Sequence, residues 1–237
     1  GTGSSNTDGT INTTSTLVNT NLGMSISTYT GTGSNATIGH GLGVVPEFFM
    51  VTRLDSGNDK MIYHSALGGT KNLVLNGTSA TTTNNTRWNN TDPTSSVISL
   101  GTTAAVNGSS ATYICYAFAP SQFTAIGSYV GNGNANGSFI PTVNSLGIPI
   151  QPAWFMAKST GSGQDWRVVD SKRSPFNVNS LHLRPNTTAA DVSETNLDID
   201  TGGIKIRTSS GGWNTSGTEY IYLAFGTPLI DVDGRII

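Results

Sequence analysis

Apolar residues recur along this chain in short runs that alternate with polar ones, the two-residue period of a half-buried strand. In TYICYAFA, Tyr113, Cys115 and Ala117 face one way and Ile114, Tyr116 and Phe118 the other. The runs FFMVTR and WFMAKS follow Pro46 and Pro152. Proline fits the first residue of a strand but not its middle, so both runs are predicted to be central strands. Turn signals separate the runs: Asp55-Ser56-Gly57-Asn58, Asn107-Gly108, Asn134-Ala135-Asn136-Gly137, Gly202-Gly203 and Ser210-Gly211-Gly212. A short helical turn is expected only near Asp191 to Glu194.

The pattern also repeats. Tyr29-Thr30-Gly31-Thr32-Gly33 returns as Tyr129-Val130-Gly131-Asn132-Gly133, and Pro46-Glu47-Phe48-Phe49-Met50 as Pro152-Ala153-Trp154-Phe155-Met156. Leu73-Val74-Leu75 matches Leu181-His182-Leu183, and Tyr113-Ile114-Cys115-Tyr116-Ala117-Phe118 matches Tyr220-Ile221-Tyr222-Leu223-Ala224-Phe225. The order is kept, with offsets between 100 and 108 residues. Self-similarity at this period, with many short strands, predicts an all-β fold of two tandem, internally repeated β-sandwich units of jelly-roll-like kind. Unit one is expected over residues 28–125 and unit two over 126–237, after a polar leader, residues 1–27. The leader is either a flexible tether or an arm that adds a strand to a neighbouring subunit. The start at Gly1 fits either a processed N-terminus or part of a longer product.

Composition agrees with strands and removes several function classes. Gly, Thr, Ser and Asn supply about half of the 237 residues and charged residues only 11%, which leaves little material for exposed helix faces. Twelve basic residues stand against fourteen acidic ones without a basic cluster. Nucleic acid and anionic membranes are therefore not expected partners. No apolar stretch approaches the roughly 18 residues of a membrane span, so no membrane insertion is expected. The single cysteine, Cys115, is predicted to be a small buried apolar group rather than a reactive thiol.

The candidate chemistry is sparse. Nucleophilic catalysis needs a base beside the nucleophile, and His40, His64 and His182 lie in no recognisable motif; His182 is expected to point outward from its strand. Three scattered histidines and one cysteine do not form a zinc set. Asp165, Asp170, Asp191, Glu194, Asp198 and Asp200 raise the paired-carboxylate chemistry of glycoside hydrolysis, yet unit one has no matching acids. No catalytic residue and no cofactor are expected. Asp198 and Asp200 alternate along one strand face and are a candidate Ca²⁺ pair without the spacing of a calcium loop. The glycine-rich GTGSNATIGHG and GNGNANG are flanked by strands, so they are predicted as tight turns, not phosphate loops. Trp88 with Asn89 and Asn90, and Trp213 with Asn214, lie in polar loops where a ring would stack on a sugar and the amides bond its hydroxyls. The alternative is a ring folded back over the core. Trp154 and Trp166 are expected in the core.

Six separated motifs occur in order: GHGLGVVPEF from Gly39, YHSALGGT from Tyr63, WNNTDPTSSV from Trp88, GSYVGNG from Gly127, DSKRSPFN from Asp170 and YIYLAF from Tyr220. Together they resemble a family of virion structural proteins common in marine phages and cyanophages, over about Gly9 to Phe225. The resemblance implies a tail-fibre or appendage component of the virion, assembled in the host cytoplasm and meeting other virion proteins and a host cell-surface glycan. It also implies a homo-oligomer, by family habit a trimer, and supplies no active-site residues. A capsid decoration protein is the alternative reading and a glycan depolymerase the second. The tail from Pro228 to Ile237 lies outside the resemblance.

Overall fold

The computed structural model describes residues 3–161, 163–230, 233 and 235. Among them, strands dominate and the single α-helix is one turn long. The fold is all-β, built from antiparallel sheets of sandwich type, as the alternation predicts. No helix is long and apolar enough to cross a membrane. The chain divides into two compact units, one running up to Leu75 and from Thr81 to Ala119, the other taking Asn76–Ala80 and everything from Pro120 on.

Unit one contains β1 (Ser15–Asn19), β2 (Met24–Thr30), β3 (Ala36–Gly39), β4 (Phe48–Arg53), β5 (Met61–His64), β6 (Lys71–Val74), β7 (Thr82–Thr83), α1 (Asn85–Trp88), β8 (Val97–Leu100) and β9 (Thr112–Phe118). Its main sheet runs in the order β1-β2-β9-β4-β5-β6-β7, and β3 pairs with β8 apart from it. Alternation places Tyr113, Cys115 and Ala117 of β9 inward, where they meet Tyr29, Phe49, Val51 and Tyr63 from neighbouring strands and Ile38, Ile98 and Leu100 from the β3–β8 pair.

Unit two contains β10 (Thr124–Val130), β11 (Phe139–Pro141), β12 (Ile150–Ser159), β13 (Arg167–Asp170), β14 (Asn179–His182), β15 (Val192–Asp200), β16 (Gly203–Ile206) and β17 (Glu219–Pro228). One sheet has the order β10-β17-β12-β13 and the other β11-β16-β15-β14. Ala125, Phe155, Ala157, Val169, Tyr222 and Ala224 from the first enclose a core with Ile140, Leu197, Ile204 and Ile206 from the second.

The order β10-β17-β12-β13 matches β2-β9-β4-β5. Both predicted central strands are internal, β4 between β9 and β5, and β12 between β17 and β13. Pro152 lies inside β12 rather than before it, tolerated because the register with β17 shifts between Pro152 and Trp154.

Three expectations are corrected. The stretch 1–27 is no free leader: from Gly3 on it belongs to unit one, with Ile11 buried and Ser4 paired to Thr16. A chain of hydroxyls, Thr13 Oγ1 to Thr16 Oγ1 at 2.8 Å and on to Ser27 Oγ at 3.0 Å, pins it down. The boundary falls at Pro120 because Asn144 Nδ2 donates to the Ser121 carbonyl at 2.6 Å, which ties 120–125 to unit two. The turn predicted at Asp191–Glu194 is instead the approach to and start of β15, because strand pairing with His182 and Leu181 claims Val192 and Ser193. The expectation about Gly1, and most of the tail after Ile230, lies outside the described residues.

Candidate functional site

The end loops of each unit are organised around one asparagine. In unit one, Asn107 Oδ1 accepts from the Thr32 N–H at 2.8 Å while its Nδ2 donates to the carbonyls of Ser34 (2.6 Å) and Gly101 (3.0 Å). In unit two, Asn214 Oδ1 accepts from the Asn132 N–H at 2.8 Å and its Nδ2 reaches the carbonyls of Asn134 (2.7 Å) and Thr208 (2.9 Å). Stacked tyrosines lie beside each: Tyr29 on Tyr113 at 5.1 Å, and Tyr129 on Tyr220 at 4.9 Å. Tyr29 donates to the Val106 carbonyl and Tyr129 to the Trp213 carbonyl. These loops are therefore fixed from below, and Asn214, 1% exposed, is out of reach of a sugar.

The tryptophans follow the same logic and correct the glycan-stacking reading. Trp88 and Trp213 are both 0% exposed. Asn84 caps α1 by accepting from the Thr86 N–H, and Asn89 ends it at a left-handed φ of 53°; this single turn swings Trp88 inward, edge-on to Phe49 at 4.8 Å. Asn89 and Asn90 remain exposed, both at left-handed φ, and Asn89 caps the helix under which the ring has gone. Trp213 Nε1 donates to Asn196 Oδ1 at 3.0 Å, and the ring packs on Phe155. Polar flanks made both tryptophans look exposed; the buried Asn196 gives Trp213 the partner those flanks suggested water would, whereas Trp88 Nε1 is buried without a hydrogen-bond partner among the described residues and the ring is held by packing alone. Trp166 is buried as expected, whereas Trp154 is half-buried against Phe225.

His182 was expected to face outward and is instead 0% exposed. It sits in a polar network spanning β13, β14 and β15 of unit two. Asn196 Nδ2 donates to His182 Nδ1 at 3.1 Å, and Arg184 Nε approaches His182 Nε2 at 3.4 Å. A neutral imidazole accepts at only one nitrogen. His182 Nδ1 is that acceptor, because the Asn196 amide nitrogen, oriented by the Trp213 bond to Oδ1 and by the Glu194 carbonyl at 2.7 Å, can only donate to it. Burial, then the charge of Arg167, pushes the His182 pKa down to about 4, with Arg184 adding to the shift and Glu194 and Asp165 opposing it. Arg167 pairs with Glu194 at 3.4 Å and its guanidinium lies 5.8 Å from the Trp213 ring centre; Arg184 pairs with Asp165 at 3.3 Å. The network neutralises itself.

The remaining acids are similarly engaged. Asp170 accepts from the backbone N–H groups of Lys172 and Arg173 and pairs with the Arg173 guanidinium, which also holds Asp191 at 2.8 Å. Burial opposes the Asp170 charge, but the Arg173 and Lys172 hydrogen bonds outweigh it and hold the carboxyl below its ordinary value. A glycosidase acid needs the reverse shift. The calcium candidate is corrected too: Asp198 is buried and its Oδ2 is forked by Arg207 at 2.5 Å, while Asp200 Oδ1 accepts from Asn177. Among the described residues, no group of three or more His, Cys, Asp or Glu side chains is placed to hold a metal ion. His40 is buried, with Nδ1 accepting from the Leu42 N–H and Nε2 donating to the Thr94 carbonyl, and His64 Nδ1 accepts from the Ala66 N–H.

What the sequence reading missed is an open feature in unit two, a recess of about 430 Å³ beside the loop 171–177, walled by Phe176. Phe176 is 82% exposed, more than any other large apolar side chain among the described residues. The motif DSKRSPFN contains it, but nothing in those residues signals which way the ring turns.

The model of one family, described as Domain of unknown function (DUF7483), matches residues 1–228. No curated protein and no solved structure matches the chain. The chain belongs to the DUF7483 family.

Proposed function

We propose that this member of the DUF7483 family is a non-enzymatic structural component of a phage particle, built from two diverged copies of one β-sandwich unit. Within the particle it acts as a tail-fibre or appendage component that meets a host-surface glycan. The observation that carries the reading is the ordered set of six motifs from Gly39 to Phe225 that resembles virion structural proteins. The geometry supports it in two ways. Both units fix their end loops by buried asparagine and tyrosine hydrogen bonds, which suits a rigid element that transmits or resists force. The acids and histidines that catalysis would draw on are committed to ion pairs and hydrogen bonds. A skin of hydroxyls and amides with few charges is also insensitive to salt.

Negative-stain imaging of particles labelled with antibody to this chain tests the placement. Label on the tail supports the appendage reading, label over the head favours a decoration protein, and unlabelled particles end both. Release of reducing sugar from host polysaccharide by the purified chain would overturn the non-enzymatic part. Association as a trimer is checked by light scattering of the eluting protein, where a monomer mass removes it.

A further inference from the structure

We propose that the recess beside Phe176 in unit two is a binding subsite for a neutral carbohydrate; the inference rests on the host-attachment reading only for where such a sugar would be met. Its volume of about 430 Å³ lies in the usual range for small-molecule sites, and no residue lining it is charged. An uncharged lining offers nothing to a carboxylated or phosphorylated ligand. A lipid tail is equally ill served, because hydroxyl and amide groups interrupt the apolar part.

The arrangement matches the two faces of a sugar ring. Pro152, Ala153, Pro175 and Ile199 give an apolar lining, and Phe176 stands over it with most of its ring in water. Such a ring stacks on the C–H face of a pyranose, the geometry in which an aromatic group contributes most to sugar binding. The hydroxyls of Ser171, Ser174 and Thr227 also line the recess, with the amides of Gln151 and Asn177. Both amides are held in place beforehand. Gln151 Nε2 donates to the Asp200 carbonyl at 3.1 Å and its Oε1 accepts from the Gly202 N–H at 3.3 Å. Asn177 Oδ1 accepts from the Ile199 N–H at 3.0 Å, and its Nδ2 donates to the Ile199 carbonyl and to Asp200 Oδ1, each at 3.1 Å. Preorganised groups lose little freedom when a ligand arrives, and each amide oxygen keeps a second lone pair for a sugar hydroxyl.

The fold itself does not demand an outward phenylalanine here. In unit one the connection leaving β5, the strand that matches β13, turns its apolar residue Leu67 inward to 8% exposure. The longer connection leaving β13 is anchored by Arg173 between Asp170 and Asp191, and it presents Phe176 to solvent. An ordered loop that spends its one aromatic ring on water is a loop shaped for a ligand.

The test is a titration of the isotope-labelled full chain, followed by amide chemical shifts. The probes are maltoheptaose, a cello-oligosaccharide and a galacto-oligosaccharide, each to about 20 mM to reach weak affinities, with sialyllactose as the charged comparison. Expected are shifts confined to 151, 153, 171–174, 176, 177, 199 and 227 with at least one neutral sugar. Phe176→Ala should weaken that binding about tenfold while leaving Tm unchanged, and Phe176→Trp should retain it. Thr227→Trp, at an exposed position on the rim, should block it. No shift at the recess with any neutral sugar, equal binding by Phe176→Ala, or equal binding of sialyllactose overturns the inference. Failure here with label on the virion tail would leave the appendage reading standing, whereas sugar binding with unlabelled particles would remove that reading and leave the subsite.

Discussion

A neutral histidine buried between guanidinium groups must take up a proton against both desolvation and repulsion. For His182 the folded pKa is about 4 against an ordinary 6.5, so between those values the unfolded chain binds the proton and the folded chain does not. Its contribution is therefore complete above pH 6.5 and is lost as the pH falls towards 4, by about 3 kcal/mol in all. Urea denaturation at pH 7.5 and 4.5 should show the loss, and His182→Gln, which keeps an acceptor for Asn196, should show less of it. Parallel losses in the two proteins would refute the assignment. None of this was legible beforehand, because a histidine in LHLRP gives no sign of which strand face is covered. The asparagines are a second case: in a chain so rich in Asn, the two that organise loops look like all the others. Asn107→Ala strips the Thr32 N–H of its acceptor and the Ser34 and Gly101 carbonyls of their donor, and should cost about 2–4 kcal/mol in a denaturant titration. Cys115 was legible from alternation alone. Burial pushes its thiol up to about 12, so a disulfide reagent at pH 8 should label it only after unfolding.

At the scale of elements, alternation located strands such as β2 and β9, whose inward residues are buried and whose intervening residues are partly exposed, whereas β5 and most of β12 and β17 are buried at consecutive positions. It failed where side chains rather than strand faces decide. Nothing in Asn-Asn-Thr-Arg-Trp-Asn-Asn signals a helix, yet one capped turn is enough to bury Trp88. The turns were predicted from glycine, and two of those glycines mark a closer constraint than turn geometry. A Cβ at Gly31 would meet the Gly108 carbonyl oxygen at 2.4 Å, and one at Gly131 the Thr215 carbonyl oxygen at 2.3 Å. In both units the strand entering from the stacked tyrosine runs against the loop that carries the organising asparagine, and only a residue without a side chain lets them touch. Gly31→Ala and Gly131→Ala should each cost about 2 kcal/mol or more, whereas Gly57→Ala, with open space around it, should stay within about 0.5 kcal/mol. A neutral result at Gly31 or Gly131 would mean that the loop moves aside and does not define the end of the sandwich.

At the scale of the whole molecule, the tyrosines of the repeated motifs lie on strands of like place in the two units, whereas Leu73 on β6 and Leu181 on β14 lie in sheets of different order. Tyr29 and Tyr129 lie on β2 and β10, and Tyr113 and Tyr220 on β9 and β17. The cross-strand pairs agree: Ile38 lies opposite Ile98 and Ile140 opposite Ile204. The exact boundary was not legible, since Asn144 ties the connection to unit two through side-chain bonds to the Ser121 and Thr124 carbonyls that no periodicity records. Each unit encloses its own apolar cluster and its own organising asparagine. Losing Asn107 should therefore weaken unit one alone, and losing Asn214 unit two alone. Calorimetry of Asn107→Ala should then resolve two transitions, with the earlier one followed by Trp88 fluorescence and the later one unmoved. Substitutions at sites with no shared partner add, so the double variant should lower both transitions by the sum of the separate effects. One cooperative transition that keeps its shape in all three variants would mean that the two clusters unfold as a single body, and the description of this chain as two stable units would have to be given up.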